Sequence, residues 1–114
     1  MLVRNVTRDT ILAENTAKAT TSKQRKAGLL HHERLPKGEG LWIAPCEAVH
    51  SFWMKFAIDV LYLNKKKKVL KIRRNMVPWR VSACLRAHSV LELPTGMAEE
   101  TRTQPGDELE FQQG

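Results

Sequence analysis

The sequence predicts a mainly β (α+β) fold: a compact antiparallel β-sandwich or squat barrel with about two short helices. Two observations lead to this fold class. After Gly40, apolar residues recur with a period near two, and turn-forming runs such as Pro36-Lys37-Gly38 and Pro105-Gly106-Asp107 separate the apolar segments. A chain of 114 residues can form one hydrophobic core without disulfides or metals to stabilise it, so we expect a single domain over residues 1–114.

The first third of the chain is predicted to hold short strands and one helix. Leu2-Val3 and Ile11-Leu12 flank a polar turn, and weak alternation continues from Ala13 to Ala19. Thr21-Ser22 offers an N-cap for a helix over residues 23–31. Glycine costs ~1 kcal/mol relative to alanine inside a helix, so Gly28 weakens that prediction.

The central part is predicted to hold four strands: Leu41–Ala44, Ser51–Lys55, Ile58–Leu63 and Val69–Arg73. The last two form a hairpin whose tip contains Lys65 to Lys68. Ile58–Leu63 is apolar at every position except Asp59, a pattern typical of a strand covered on both faces.

The C-terminal part is predicted to hold two strands around a short helix. Ala87–Leu93 is the first strand, and Glu108–Phe111 closes the fold. Thr95 is the predicted cap of a helix over Gly96–Thr101. The segment Met76–Arg80 is predicted to be a loop that carries an aromatic residue.

The positive charge balance is interpreted first as a contribution to solubility, with a preference for acidic partners as the alternative. Nineteen basic and twelve acidic side chains give a net charge of +7. Lys65 to Lys68 are interpreted as a solvated hairpin tip, with a nucleic-acid patch as the alternative. No apolar run approaches the ~20 residues of a membrane span, and charges interrupt the N-terminus as they would not in a signal peptide, so a cytoplasmic location is expected.

The cysteines and glycines indicate no cofactor and no metal. Cys46 and Cys84 lie too far apart in sequence for a zinc knuckle or a redox pair, and we expect free thiols, although the sequence does not exclude a disulfide. The six glycines are scattered and form no phosphate-binding loop.

A groove is predicted near His50, Trp53, Asp59, Trp79 and Glu92, because polar groups are set there into apolar strands. If residues 51–55 form a strand, the side chain of His50 shares a face with the apolar residues two and four positions later, as part of a pocket mouth or of the core.

Asp59 shares a strand face with leucines, and Glu92 is flanked by leucines, so each needs a cation or several donors if it is buried. The candidate partners are His50, Arg80, Arg86 and His88. A structural ion pair or turn anchor is one interpretation, and a catalytic acid or base is the other.

Cys46 and His50 give an alternative hypothesis of catalysis. A loop over residues 45–50 could join thiol and imidazole as a reactive nucleophile and its base, or as two ligands of a metal site. The structural interpretation is a buried thiol and a histidine bonded to backbone.

The ordered blocks of this chain resemble a known family. These blocks are Ala27-Gly28-Leu29-Leu30, Gly40–Ile43, His50–Lys55, Ile58–Leu63, Pro78, Val90–Gly96 and Gly106-Asp107. Over about residues 27–111 they resemble the bacterial and archaeal domain-of-unknown-function family 192. The resemblance implies a compact, mostly β fold in a small stand-alone or secreted protein. It implies no established activity, so it assigns no catalytic residue.

The sequence therefore leads first to a non-catalytic binding module for a small ligand or an acidic peptide or protein. A Cys/His-dependent or metal-dependent enzyme is the second hypothesis. Nucleic-acid binding through the Lys65–Lys68 hairpin is the third, with affinity that falls steeply with salt.

Overall fold

The computed structural model describes residues 1–113, which form ten strands and two short helices. The strands are β1 (Leu2–Asn5), β2 (Thr10–Ala13), β3 (Asn15–Ala19), β4 (Glu39–Ile43), β5 (Ala48–His50), β6 (Ile58–Leu63), β7 (Val69–Met76), β8 (Val81–Ala83), β9 (Ser89–Pro94) and β10 (Leu109–Gln112), and the helices are α1 (Ser22–Ala27) and α2 (Met97–Glu100). The predicted fold class, mainly β with two short helices, is confirmed.

Three sheets organise these strands. A five-stranded sheet has the order β3-β4-β9-β6-β7, a three-stranded sheet has the order β10-β1-β2, and β5 and β8 form a two-stranded ribbon. All pairs are antiparallel except β3 and β4, which are parallel because α1 carries the chain back between them. Over residues 1–113 the sheets do not close into a barrel.

The five-stranded sheet is the middle layer, with apolar residues packed on both faces. On one face, leucines of β6 and β9 pack against the three-stranded sheet and α2. On the other face, alternate residues of β6 and β9 pack with Leu29, Met54 and Met76. Double coverage explains why all six residues of β6 are buried, as predicted from its apolar pattern.

The local structure corrects several sequence predictions. The helix predicted to reach residue 31 ends at Ala27, because Gly28 adopts a φ of 48° and its N–H bonds to Gln24 O. Its N-cap is Thr21, as the Thr21-Ser22 prediction allowed, and the structure adds a capping box between Thr21 and Gln24. Thr95, in contrast, does not cap α2, because the N-cap residue is Gly96, which has no side chain to accept a hydrogen bond.

Ser51–Lys55 is not a strand, so that prediction was wrong. The segment forms turns, and Trp53 adopts a left-handed φ of 68° that a strand does not contain. The strand on this part of the chain lies earlier, as β5, and pairs with β8, which the sequence had not revealed.

The sequence also led to predictions about membrane spans and about cysteine pairing. Within the described residues, no helix has both the length and the apolar character needed to cross a membrane. Cys46 and Cys84 are both free thiols, as expected.

Candidate functional site

A large cleft opens on the face of the five-stranded sheet that carries α1 and the β5–β8 ribbon. Its volume is about 970 Å³, within the range of small-molecule sites. Its apolar lining includes Leu29, Val49, Phe52 and Met54. Its ionisable or basic lining comprises Arg25, Lys26, Cys46, Glu47, His50, Lys65, Arg86, His88 and Glu92.

Glu92 is the buried acid of this cleft. It lies in the central strand β9, paired with Leu41 of β4 on one side and Val60 of β6 on the other. The residue is only 3% exposed, and its Oε1 atom has no hydrogen-bond partner among the described residues. Burial raises the pKa of Glu92 to about 7, because a low dielectric penalises the charged form.

Gly28 lets α1 end close to this carboxyl. A Cβ atom built on Gly28 would lie 4.0 Å from Glu92 Oε1, so the chain covers the acid here without a side chain between them. Sequence reasoning treated Gly28 only as a defect of the helix. A glycine at this position is a local signal for the end of a helix, whereas the proximity of Gly28 to Glu92 depends on the tertiary fold.

Two more groups with unused hydrogen-bonding capacity line the same cleft. Arg25 donates from Nη1 to Pro45 O at 3.2 Å, while its buried Nε has no partner among the described residues. The buried Nδ1 of His88 also has none over residues 1–113. Buried polar atoms are normally satisfied, so three such atoms on one cleft are consistent with a place for a ligand or water.

Arg25 and His88 were not in the predicted groove. Arg25 was not singled out in the sequence, and His88 was considered only as a candidate partner of the two acids. His88 lies directly before an apolar strand, and this position could have drawn attention to it. The same position is also typical of a histidine that bonds only to the backbone.

Cys46 and His50 both line the cleft, but no hydrogen bond in the described chain joins them. Cys46 Sγ donates to Ala48 O at 3.2 Å. The Nδ1 atom of His50 accepts from Phe52 N at 3.3 Å, and its ring stacks on that of Phe52 with centroids 5.0 Å apart. Histidine bonded to backbone is thus the arrangement that the structure contains.

The Cys46 thiol is poorly activated. Burial raises its pKa most, the carboxyl groups of Glu92 and Glu47 act in the same direction, and the hydrogen bond to Ala48 and the charge of Arg25 oppose them only in part. A raised pKa lowers the fraction of the nucleophilic thiolate near neutral pH. Within residues 1–113, no three His, Cys, Asp or Glu side chains are placed to hold a metal ion.

Asp59 does not join Glu92, because the two acids lie on opposite faces of the sheet. The register pairs Asp59 with Leu93 and Val60 with Glu92, and paired residues share a face. Asp59, only 1% exposed, accepts hydrogen bonds from Asn75 N at 2.9 Å, Gly96 N at 3.1 Å and Ala98 N at 2.9 Å. This is the turn anchor that the sequence left open, and it supplies the N-terminal cap of α2.

Trp53 and Trp79 lie outside the cleft, on an exposed surface beside it. Their ring centroids are 4.6 Å apart in an edge-to-face pair, and Trp79 also stacks on Phe52 at 5.7 Å. Of the five predicted groove residues, the structure therefore brings His50 and Glu92 to the cleft, leaves the tryptophans beside it, and places Asp59 on the far side of the sheet.

Comparisons with known proteins extend the resemblance. The profile of the DUF192 family, described as "Uncharacterized ACR", matches residues 3–111. A UPF0127 protein of Pyrococcus furiosus is 33% identical over 84 residues, which cover 68% of this chain and 72% of the relative. A UPF0127 protein of Pyrococcus horikoshii is 28% identical over 94 residues, covering 77% and 79% of the two chains.

Solved structures share the fold. The crystal structure of a protein of unknown function from Novosphingobium aromaticivorans superposes with a TM-score of 0.81 at 22% identity, covering 96% of this chain and 82% of that one. The match of the family profile to nearly the whole length, together with the archaeal relatives, shows that this chain belongs to the DUF192 family, whose activity is uncharacterised.

Proposed function

We propose that the protein binds a small, partly apolar ligand in the cleft, with the Glu92 carboxyl as its buried polar anchor. The observation that carries this proposal is that Glu92 is almost completely buried, has an Oε1 atom without a hydrogen-bond partner among the described residues, and lines a cleft of about 970 Å³. Leaving a polar group in that state costs ~1–3 kcal/mol. A ligand that donates a hydrogen bond to Glu92 would recover that free energy.

The charges around the cleft indicate the chemistry of the other end of the ligand. Arg25, Lys26, Lys65 and Arg86 line the cleft, against Glu47 and Glu92 as its only acids among the described residues. An acidic group on the ligand is therefore favoured at the rim. The ligand would combine an anionic group, an apolar body and a hydrogen-bond donor that reaches Glu92.

Three blocks of the family resemblance meet at this cleft. Residues 27–30 contribute the end of α1, residues 50–54 contribute His50, Phe52 and Met54, and the block over 90–96 contributes Glu92. Segments far apart in sequence thus converge on one cavity, as expected of a binding site.

A fragment screen monitored by amide chemical shifts tests the proposal. Fragments with an acidic group and a donor should shift amides around Leu29, Cys46 and His88, and Glu92→Gln should weaken their binding about tenfold, the effect of losing one charge-assisted hydrogen bond. Glu47→Gln is the matched control, because Glu47 is an exposed acid on the same cleft. The absence of any fragment that shifts cleft amides would refute the proposal.

A second candidate is acid–base catalysis by the same carboxyl. A group with a pKa of about 7 is well matched to proton transfer at neutral pH. Turnover of a bound ligand with a rate that depends on pH near 7 and is abolished by Glu92→Gln would favour this function. Unchanged ligand after prolonged incubation would leave binding alone. The alternative enzyme based on Cys46 and His50 has less support, since the thiol is not activated.

A further inference from the structure

Three exposed aromatic rings form a surface beside the cleft, here called the aromatic platform: Phe52, Trp53 and Trp79. Trp53 is 70% exposed and Trp79 52% exposed. The three rings are in mutual contact through Trp79, which stacks on Phe52 and meets Trp53 edge to face. Large indole rings held together in water lose little motion on binding and present flat π faces.

The backbone beneath the platform is built to hold these rings outward. Trp53 and Trp79 both adopt left-handed conformations, with φ of 68° and 69°. Such conformations are uncommon for bulky residues and cost ~1–3 kcal/mol each, and they concentrate at functional sites.

Buried Ser51 fixes both loops. Its Oγ donates to Val77 O at 2.7 Å and accepts from Arg80 N at 2.9 Å. Its backbone oxygen accepts from Trp79 N at 3.1 Å and from Met54 N at 3.2 Å. The two tryptophan loops are thus joined at a single residue, and the platform is a defined feature of the fold.

The sequence segment that carries the platform is strongly basic, and some of its cations lie close by: Arg80 donates from Nη1 to Trp79 O at 3.2 Å, and Lys65 and Arg86 line the adjoining cleft. Residues 48–91 contain ten of the nineteen Lys and Arg residues but only one acid, Asp59, which is buried under α2. The rest of the chain carries the other nine basic residues and eleven acids. The excess positive charge of the protein therefore lies on the segment that carries the platform.

The cleft connects the platform with this charge. His50 and Phe52 line it near the Ile58 end of β6, while Lys65, Arg86 and His88 line it near the Leu63 end, where His88 N bonds to Leu63 O. Six residues of β6 separate the two ends, or about 17 Å at ~3.3 Å per residue. A few nucleotides of a single strand could span this distance.

We infer that the aromatic platform and the basic side chains of the adjoining cleft bind single-stranded nucleic acid, with bases stacked on Trp53 and Trp79 and phosphates beside the Lys and Arg side chains of that cleft. This combination of stacking rings and a basic track is how sequence-tolerant single-strand binding works. The inference requires no contact with Glu92, although the strand would follow the rim of the same cleft. An acidic protein segment would satisfy the charges but would not need two exposed indole faces.

Fluorescence anisotropy with a labelled twelve-nucleotide oligothymidine and the full chain provides the test. Binding should weaken with salt, with a slope of log K against log salt of about −2 to −3 for roughly three or four phosphates. Trp53→Leu and Trp79→Leu should each reduce affinity about 5- to 150-fold, whereas Trp53→Phe should lose less because it keeps a ring. Ile11→Ala is the control, an exposed apolar residue on β2.

Each contrary result has a defined meaning. Undetectable binding at low salt, or binding that both Leu variants leave unchanged at an unchanged melting temperature, would overturn the inference. Equal affinity for a duplex of the same length would exclude base stacking. Equal affinity for polyglutamate would instead identify an acidic protein partner and would also overturn the inference of nucleic-acid binding.

Discussion

Replacement of Glu92 by glutamine is the most informative perturbation of the fold and the cleft. The amide keeps the size of the side chain and cannot ionise. The pKa of Glu92 is about 7 against an ordinary value of 4.5, a difference of about 2.5 units, and each unit corresponds to ~1.4 kcal/mol. The native protein is thus expected to lose about 3 kcal/mol of stability, relative to the variant, as this carboxyl ionises.

The direction of this pH dependence follows from the number of protons that the native and unfolded states bind. Between pH 4.5 and about 7 the native state holds a proton on Glu92 that the unfolded state has released. Stability from this residue is fully present below pH 4.5 and falls with rising pH until ionisation of the native state is complete above pH 7. Relative to wild type, Glu92→Gln should therefore gain about 3 kcal/mol between pH 4 and pH 8.

Urea unfolding of wild type, Glu92→Gln and Glu47→Gln at pH 4, 5, 6, 7 and 8 measures this difference. The exposed Glu47 should give a curve nearly parallel to wild type. If the Glu92→Gln curve were also parallel, the carboxyl would be paired or hydrated in the native state, and the reasoning from its burial would be refuted.

Four further predictions concern other residues. Asp59→Ala leaves three backbone N–H groups without their acceptor and should lower the free energy of unfolding by at least about 2 kcal/mol; a loss below 0.5 kcal/mol would contradict the role of Asp59 as the cap of α2. Thr21→Ala removes the capping box and should cost about 1 kcal/mol by urea unfolding, with exposed Ser22→Ala as a smaller control. Burial acts to raise the pKa of Asp107, but hydrogen bonds from Arg8, Asn5 and Gln104 outweigh it and lower that pKa. Asp107→Asn should therefore destabilise the protein at pH 7, and progressively less as the pH falls below the ordinary value of 3.8. A difference in unfolding free energy that stays constant with pH would contradict this. Iodoacetamide should alkylate Cys46 more slowly than free cysteine at pH 7.5 and accelerate only above pH 9, as measured by mass spectrometry of a Cys84→Ala variant; rapid labelling at pH 7.5 would revive the nucleophile hypothesis.

The sequence was most informative where one local pattern decided the structure. The apolar run of β6 correctly indicated a strand covered on both faces, and Thr21-Ser22 correctly marked the N-cap of α1. In each case the determining residues are neighbours in sequence, so no knowledge of distant packing was needed.

The errors arose where distant segments decide the structure. The alternation over residues 51–55 imitates a strand, but the bonds of Ser51 to the loop over residues 77–80 hold it as turns. The ribbon of β5 and β8 has only three residues in each strand, and its pairing joins segments more than thirty residues apart. The hydrophobic periodicity within one segment does not show which distant segment it pairs with.

The candidate site was only partly predictable for a related reason. Asp59 and Glu92 look alike in sequence, as single acids within apolar runs. Whether they share a face depends on the register between β6 and β9, and a shift of one residue would bring both acids to the same face. The unusual burial of Glu92 could thus be suspected from the sequence, but its separation from Asp59 and its place in the cleft could not.

The most direct test of the account is a titration of the Glu92 side-chain carboxyl carbon by ¹³C NMR, assigned with the Glu92→Gln variant. An unpaired, buried carboxyl at the floor of a ligand site should titrate near pH 7 in the free protein, and its titration should move when a cleft-binding fragment is added. Titration near the ordinary value of 4.5, unaffected by any fragment, would contradict the central claim.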